Sequence, residues 1–346
     1  MLKTVSDKVL DIFVPKKLAM DLGTANTLVY VQGKGIVVQE PTIVAIDSYD
    51  MQIIAVGNEA KYMLGKTSDR IIMKRPLRSG VIASSKITIK LLSYFIRRAL
   101  GPVRFFKPEV MISTPYGITS VEKRAVLKAT MQTGASKVYL IPEPLAAALG
   151  VGLPVHESFG SMIVNIGGGT TEIAVISLNG IVVADSLRLA GDDLNAAIMT
   201  YTRRNKGLII GEQMAEKIKI QIGSSMYLDN PLTMEVSGRE IGSGLPRTVE
   251  FNSNEVVDAV AGVLKEMVTA VKRVLEKTPP ELAADIKEYG IALSGGSALL
   301  RDLDRLMMEV LEIPVYVAED PLHAVVKGTA YALDYVNVLN KSLTVL

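Results

Sequence analysis

The sequence has no cysteine, no tryptophan and only two histidines, His156 and His323. Without cysteine there is no disulfide framework and no thiolate metal site, and the chain suits a reducing compartment. The histidines stand too far apart in sequence for metal-ligand spacing, so each reads as a structural or surface residue. An excess of one charge is also lacking: 38 Lys+Arg against 36 Asp+Glu leave a formal net charge of +2. Nucleic-acid binding usually needs a clear basic surplus, so no nucleic-acid partner is expected. No apolar run reaches the ~18 residues of a membrane-crossing helix. The N-terminus has no long apolar core followed by a small-residue cleavage site, so no secretory signal is expected. What is present is the composition of a globule. The 346 residues are 49% hydrophobic and 21% charged, enough for two domains or one large bilobed one.

Residues 2–13 read as an amphipathic helix, with Leu2, Val5, Val9, Ile12 and Phe13 at helical spacing and Pro15, Lys16 and Lys17 closing it. Such a helix packs on its own domain or lies at a membrane interface, and the segment by itself leaves both readings open. Residues 18–31 read as two strands joined by a tight polar turn. A helix is expected over 86–100, stopped by Gly101 and Pro102, then a loop with Phe105 and Phe106 between Arg104 and Lys107. Thr119 with Glu122 makes a capping box for a helix to about Gln132. A strand at 138–142 leads into a short Ala-rich helix opened by Glu143 and Pro144. The plan of strand, Gly/Thr turn and strand returns at 161–166 and 171–177. Residues 192–222 read as mostly helical, 224–252 as a looser region rich in Gly, Ser and Pro, and 255–276 as a strongly amphipathic helix. A strand at 290–294 is expected to turn through Gly295 and Gly296 into a helix, and a last helix covers about 322–338. Strands then helices, twice over with the same opening hairpin, predict an α/β fold built by internal duplication.

Three segments carry chemistry. In Asp21-Leu22-Gly23-Thr24-Ala25-Asn26-Thr27, small residues in a hairpin turn let backbone N–H groups approach an anion, and a carboxylate at the strand end can hold a hydrated Mg²⁺. Alone it reads as a plain hairpin. Asn165-Ile166-Gly167-Gly168-Gly169-Thr170-Thr171 stands in the same context, and three consecutive glycines are costly in regular structure unless the backbone must sit close to something. Two facing turns of this kind would grip a polyphosphate from both sides. In Ser294-Gly295-Gly296-Ser297, glycine between strand and helix permits close approach by a flat ring or ribose. Neither the P-loop spacing nor a G-x-G-x-x-G opening a βαβ unit occurs.

With these segments in place, the sequence resembles the actin superfamily, and within it the MreB family of bacterial cytoskeletal proteins. The resemblance runs through DLGTANTLVYV (21–31), IPEPLAAALG (141–150), NIGGGTTEIAVISL (165–178), AGDDLNAAI (190–198), IGEQMAEKIKIQIG (210–223), LSGGSALLRDLD (293–304) and PLHAVVKGTAYAL (321–333). It implies an actin-like bilobed ATPase fold, with duplicated RNase H-like halves and a nucleotide cleft between them. Residues 1–157, with a small subdomain at about 45–77 and completed by about 322–346, form one domain. Residues 158–321, with a small subdomain at about 194–257, form the other.

The resemblance also implies ATP and Mg²⁺ as ligands. Asp21 and Asn165 would stand at the metal. Gly23, Thr24, Ala25 and Asn26, with Gly167, Gly168, Gly169 and Thr170, would bind phosphate. Gly191, Asp192, Glu216, Lys219, Gly295, Gly296 and Ser297 would border the nucleoside. Glu143 would orient or deprotonate the attacking water, a role typically worth ~10²–10⁴-fold in rate; its bland reading is a helix N-terminal carboxylate favoured by the dipole. The family carries Asp where this chain has Asn165. An amide keeps the shape and can accept a hydrogen bond from a metal-bound water, but it attracts Mg²⁺ less. ATP binding with slow hydrolysis is therefore expected.

The expected function is a cytoskeletal protein polymerising into membrane-associated filaments that support cell shape and wall elongation. It would lie in the cytoplasm at the inner face of the cell membrane, with itself, a transmembrane adaptor and wall-elongation proteins as partners. Membrane contact through Leu2, Val5, Val9, Ile12, Phe13, Phe105 and Phe106 fits the family's habits. The alternatives are a sugar or acid kinase of the same superfold, a chaperone ATPase, and a filament in which nucleotide is a static ligand.

Overall fold

The computed structural model describes residues 16–78, 81–82, 85–101, 106–339 and 342–345. The amphipathic segment 2–13 and Phe105 lie outside the described residues. The chain divides into two compact units. The first is Met1–Glu157 with Leu178–Ile181 and His323–Leu346; the second is Ser158–Ser177 with Val182–Leu322.

The first unit is built on a six-stranded sheet in the order Thr344–Val345, Lys137–Pro142, Glu109–Thr114, Lys17–Leu22, Asn26–Val31, Gly35–Pro41. The strands Lys137–Pro142, Glu109–Thr114 and Lys17–Leu22 run parallel, and the last three strands form an antiparallel meander. Parallel strands are covered on both faces and so read as unbroken apolar runs, as Val110-Met111-Ile112 does. One face sends Leu18, Met20, Val29, Val110, Ile112, Val138 and Leu140 into a core shared with Leu91, Leu92, Phe95 and Ile96 of the helix Ser85–Leu100 and Val126 and Leu127 of Ser120–Met131. The predicted capping box holds: Glu122 N donates to Thr119 Oγ1, and Thr119 N to Glu122 Oε2 at 2.8 Å. The helix Ala324–Asp334 packs on Lys17–Leu22 and against Glu143–Gly150. A smaller sheet, Ile53–Val56, Val44–Asp47, Ile71–Lys74, carries the helix Asn58–Met63.

The second unit repeats the plan. Its sheet runs Gly180–Leu187, Thr171–Ser177, Ser161–Ile166, Ile291–Ser294, Val315–Val317. Ser161–Ile166 pairs antiparallel with Thr171–Ser177 and parallel with Ile291–Ser294. Val164, Ile166, Ile173 and Val175 bury against Val256, Val260, Leu264, Met267 and Val271 of the helix Ser253–Glu276.

Two expectations are corrected here. Residues 224–252 are not loose: Thr233–Glu240 and Pro246–Asn252 pair antiparallel and join Leu208–Ile209 in a three-stranded sheet. Glycine inside the first strand reads as a breaker, but a Cβ on Gly238 would lie 2.5 Å from Ile209 O, so its absence lets the strands pair. Ser237 lies inside the same strand opposite Thr248, while Gly242, Ser243 and Gly244 make the hairpin turn. The segment after Gly295 also differs: a four-residue 3₁₀ turn, Gly296–Leu299, precedes the α-helix Leu303–Leu311, so no α-helix starts at the Gly pair.

Candidate functional site

In the first unit the site grows from the carboxyl ends of the parallel strands, the usual ligand-facing edge of α/β sheets. Asp21 is the penultimate residue of Lys17–Leu22, and Ser113 of the neighbouring strand donates its hydroxyl to Asp21 Oδ1 at 3.0 Å. Asp21 keeps part of its surface open, yet protein crowds the carboxyl. Burial raises its pKa from an ordinary 3.8 to about 6, and the Ser113 hydrogen bond only partly offsets this.

The turn after it is clamped. Thr42 Oγ1 donates to Gly23 O at 2.7 Å, and Thr42 N to Ala25 O at 2.9 Å. A hydroxyl has one proton, so the 2.8 Å contact between Thr27 and Thr42 is donated by Thr27. A Cβ on Gly23 would lie 2.7 Å from Asn26 O. Thr24 is buried in this turn. Glu143 opens the helix Glu143–Gly150 behind Pro142 and is 6% exposed. Its strand pairs Ile141 with Ser113, so Asp21, Ser113 and Glu143 come from three adjacent parallel strand ends.

In the second unit, sequence-distant segments gather around Gly191. Gly191 N donates to Gly167 O at 3.2 Å, Asp192 N to Gly168 O at 2.7 Å, and Ser297 Oγ to Gly167 O at 2.9 Å. Lys219 Nζ donates to Gly191 O at 2.9 Å. A Cβ on Gly191 would meet Ser297 Oγ at 2.5 Å, Gly167 O at 3.1 Å and Lys219 Nζ at 3.3 Å. Glu216 lies three residues before Lys219, on the same side of the helix Glu212–Ile222. Gly295 adopts φ +84°, where a Cβ would fall 2.3 Å from Ile166 O. Gly167 N and Thr170 O close the three-glycine turn at 2.9 Å.

Asn165 is 4% exposed and accepts a hydrogen bond from Ser294 Oγ at 3.1 Å through Oδ1. One lone pair of the oxygen expected to face a metal-bound water is thus engaged within the protein. Among the described residues no three His, Asp or Glu side chains gather as a metal cage. Mg²⁺ held by one or two carboxylates with phosphates and waters needs less than a cage. Asp21 carries the negative charge such a role asks for, and Asn165 brings none.

The sequence reading missed Ser113 and Thr42, and took Ser294 only as the first residue of the Ser294–Ser297 turn. The two serines had a signal: each ends the apolar run of the strand flanking a phosphate-type hairpin, in EVMIST (109–114) and IALS (291–294). Of the expected membrane residues only Phe106 is described, and it is 45% exposed. Among the described residues no helix is long and apolar enough to cross a membrane.

Comparison with known proteins agrees across the chain. The family model of the MreB/Mbl protein matches residues 15–341. The cell shape-determining protein MreB of Escherichia coli (strain K12) is 49% identical over 327 residues, 93% of this chain and 94% of that protein. The cell shape-determining protein Mbl of Bacillus subtilis (strain 168) is 44% identical over 326 residues, 94% of this chain and 98% of that one. Among solved structures, MreB5 of Spiroplasma citri bound to ADP superposes with a TM-score of 0.90 at 35% identity, covering 95% of this chain and 98% of that chain. The MamK double helical filament matches at TM-score 0.78 and 19% identity, over 93% of this chain and 99% of that one, a likeness of fold. The chain has the actin-like fold and belongs to the MreB/Mbl family, whose Escherichia coli and Bacillus subtilis members are cell shape-determining proteins.

Proposed function

We propose that this chain binds ATP and assembles into filaments that support cell shape at the inner face of the cell membrane. The observation that carries the reading is the gathering of Gly167, Gly191, Lys219 and Ser297 around one point with no room for a Cβ. A glycine closed on this tightly by the Gly167 carbonyl and the Ser297 and Lys219 side chains suits a polyphosphate and nucleoside seated close to the main chain. Solved MreB5 structures of Spiroplasma citri hold ADP and AMPPNP, which supports the same ligand class here. In this reading Gly23, Thr24, Ala25 and Asn26, together with Gly167, Gly168, Gly169 and Thr170, take phosphate. Gly191, Asp192, Glu216, Lys219, Gly295, Gly296 and Ser297 border the nucleoside.

Asp21 would hold hydrated Mg²⁺, which supplies charge neutralisation of the phosphates. Glu143 orients or deprotonates water, and hydrolysis is slow because Asn165 brings no charge. The first unit then corresponds to one domain, completed by its C-terminal segment, and the second unit to the other. Residues 2–13 and the Phe105–Phe106 loop make peripheral membrane contact, and a transmembrane adaptor and wall-elongation proteins are the partners. Nothing favours the small-molecule kinase alternative, since the matching family model is that of MreB/Mbl proteins.

The test is concentration-dependent sedimentation with and without ATP, read beside phosphate release. Native protein should pellet above a critical concentration with ATP. Glu143→Gln should still bind ATP while phosphate release falls about 10²-fold or more. A chain that never pellets, or that phosphorylates sugars, ends the reading.

A further inference from the structure

We infer that Asn165, aligned by Ser294, is a hydrogen-bond donor to the phosphate chain of the nucleotide, so that this half of the site grips phosphate without a divalent cation. The inference rests on the nucleotide-binding reading and names how one turn of that site works. Asn165 pairs in register with Glu172 on the antiparallel side and with Ser294 on the parallel side. Residues directly opposite each other point to the same face of a sheet. Glu172, Asn165 and Ser294 therefore form one row across three strands, and all three are buried. Ser186, on the next strand, extends the row by donating to Glu172 Oε1 at 2.7 Å.

The row sets the direction of the amide. Ser294 donates to Asn165 Oδ1, which leaves Nδ2, with two N–H donors, on the other edge. Flipping the amide would turn its oxygen toward the side of the row that carries the Glu172 carboxylate, an unfavourable arrangement. Among the described residues Nδ2 makes no hydrogen bond within the protein, and its edge of the otherwise buried side chain is open rather than sealed. Two open N–H donors beside the turn can be taken by a ligand oxygen. Asn165 stands two residues before Gly167, the first glycine of the turn that the phosphate reading uses.

The other unit supplies the contrast. Asp21 has the matching serine, Ser113, but its antiparallel partner is Leu28. A carboxylate at 21 meets no like charge in its row. A carboxylate at 165 would face buried Glu172 across one strand spacing and would need a cation to stay ionised. The amide removes that need and offers N–H where the family's Asp would offer oxygen.

The experiment is equilibrium binding of a fluorescent ATP analogue to the full chain in Mg²⁺ and in EDTA, for native protein, Asn165→Asp and Ser294→Ala, with unfolding midpoints of the nucleotide-free proteins. Mg²⁺ removal should weaken Asn165→Asp about tenfold or more beyond the loss that native protein shows through Asp21. Ser294→Ala, which frees the amide to rotate, should weaken binding to the same extent in both buffers. Nucleotide-free Asn165→Asp should unfold at a lower temperature than native protein in EDTA. Parallel losses for native and Asn165→Asp on Mg²⁺ removal, or binding by Ser294→Ala equal to native, would overturn the inference while leaving nucleotide binding intact. Absence of binding by native protein in both buffers would instead overturn the nucleotide reading itself.

Discussion

Replacing Gly328 by alanine should lower the unfolding midpoint, although alanine is the better helix former. Gly328 lies in the helix Ala324–Asp334 where that helix meets Glu143–Gly150. A Cβ at 328 would fall 1.7 Å from Ala146 O, and one at Gly150 would fall 1.8 Å from Ala324 O. Both obstacles are backbone atoms held by helical hydrogen bonds, so no side chain can rotate out of the way. The helices must separate by more than an ångström, which uncovers Leu145, Ala148, Val325 and Val326, all buried as the helices stand. Gly-to-Ala in a helix interior gains about 1 kcal/mol. Overpacking a tight contact costs about 1–3 kcal/mol when neighbours can yield, and more when they cannot. The cost therefore wins, by about 2 kcal/mol. At about 2–4 °C per kcal/mol for a unit of this size, the midpoint falls by about 4–8 °C.

Gly262→Ala is the internal control. It sits in the exposed face of Ser253–Glu276 with nothing within 4 Å of its Cβ, so only the propensity gain remains, about 1 kcal/mol, and the midpoint rises. The assay is thermal unfolding of the native chain and both variants at one protein concentration, repeated as urea midpoints. Gly328→Ala unfolding at or above the native midpoint, with Gly262→Ala raised as expected, would refute the close-packing argument. Because Glu143 heads the displaced helix, phosphate release by Gly328→Ala should fall more than ATP affinity does.

Further outcomes follow from single contacts. Gly191→Ala should weaken ATP binding about tenfold or more, because its Cβ displaces Ser297 Oγ, while Gly211→Ala, with open space around it, leaves affinity unchanged; equilibrium binding checks both. Asp21→Asn should stabilise the nucleotide-free chain at pH 7.5, with the gain shrinking toward pH 4. The folded pKa of about 6 exceeds the ordinary 3.8, so the folded chain binds the proton more tightly. Stability from this group is thus lost as pH rises from 3.8 through 6, and unfolding midpoints at pH 7.5 and 4.5 test it. Asn252→Ala removes the cap in which Glu255 N donates to Asn252 Oδ1 at 3.0 Å. It should cost about 1 kcal/mol, read from urea unfolding.

Local chemistry made much of this chain legible. Thr119 and Glu122 announce a helix start because both halves of the capping box lie within four residues. Ser161–Ile166 and Thr171–Ser177 show as strands because apolar runs are broken only by a glycine turn. The family could be recognised because its motifs are short, ordered and local. Tertiary structure alone decided what depends on partners distant in sequence. Gly238 reads as a breaker until Ile209 is placed beside it. Ser113 and Ser294 look like ordinary strand ends until parallel pairing sets them against Asp21 and Asn165. Asn165 illustrates the division most clearly. That a charge is missing there is plain from the residue's identity. The direction of the amide, and hence whether it accepts or donates, depends on the hydroxyl of Ser294, 129 residues away, and on Glu172 across the sheet. A side chain's type is written in the chain, but its hydrogen-bonding role is set by neighbours that only folding supplies.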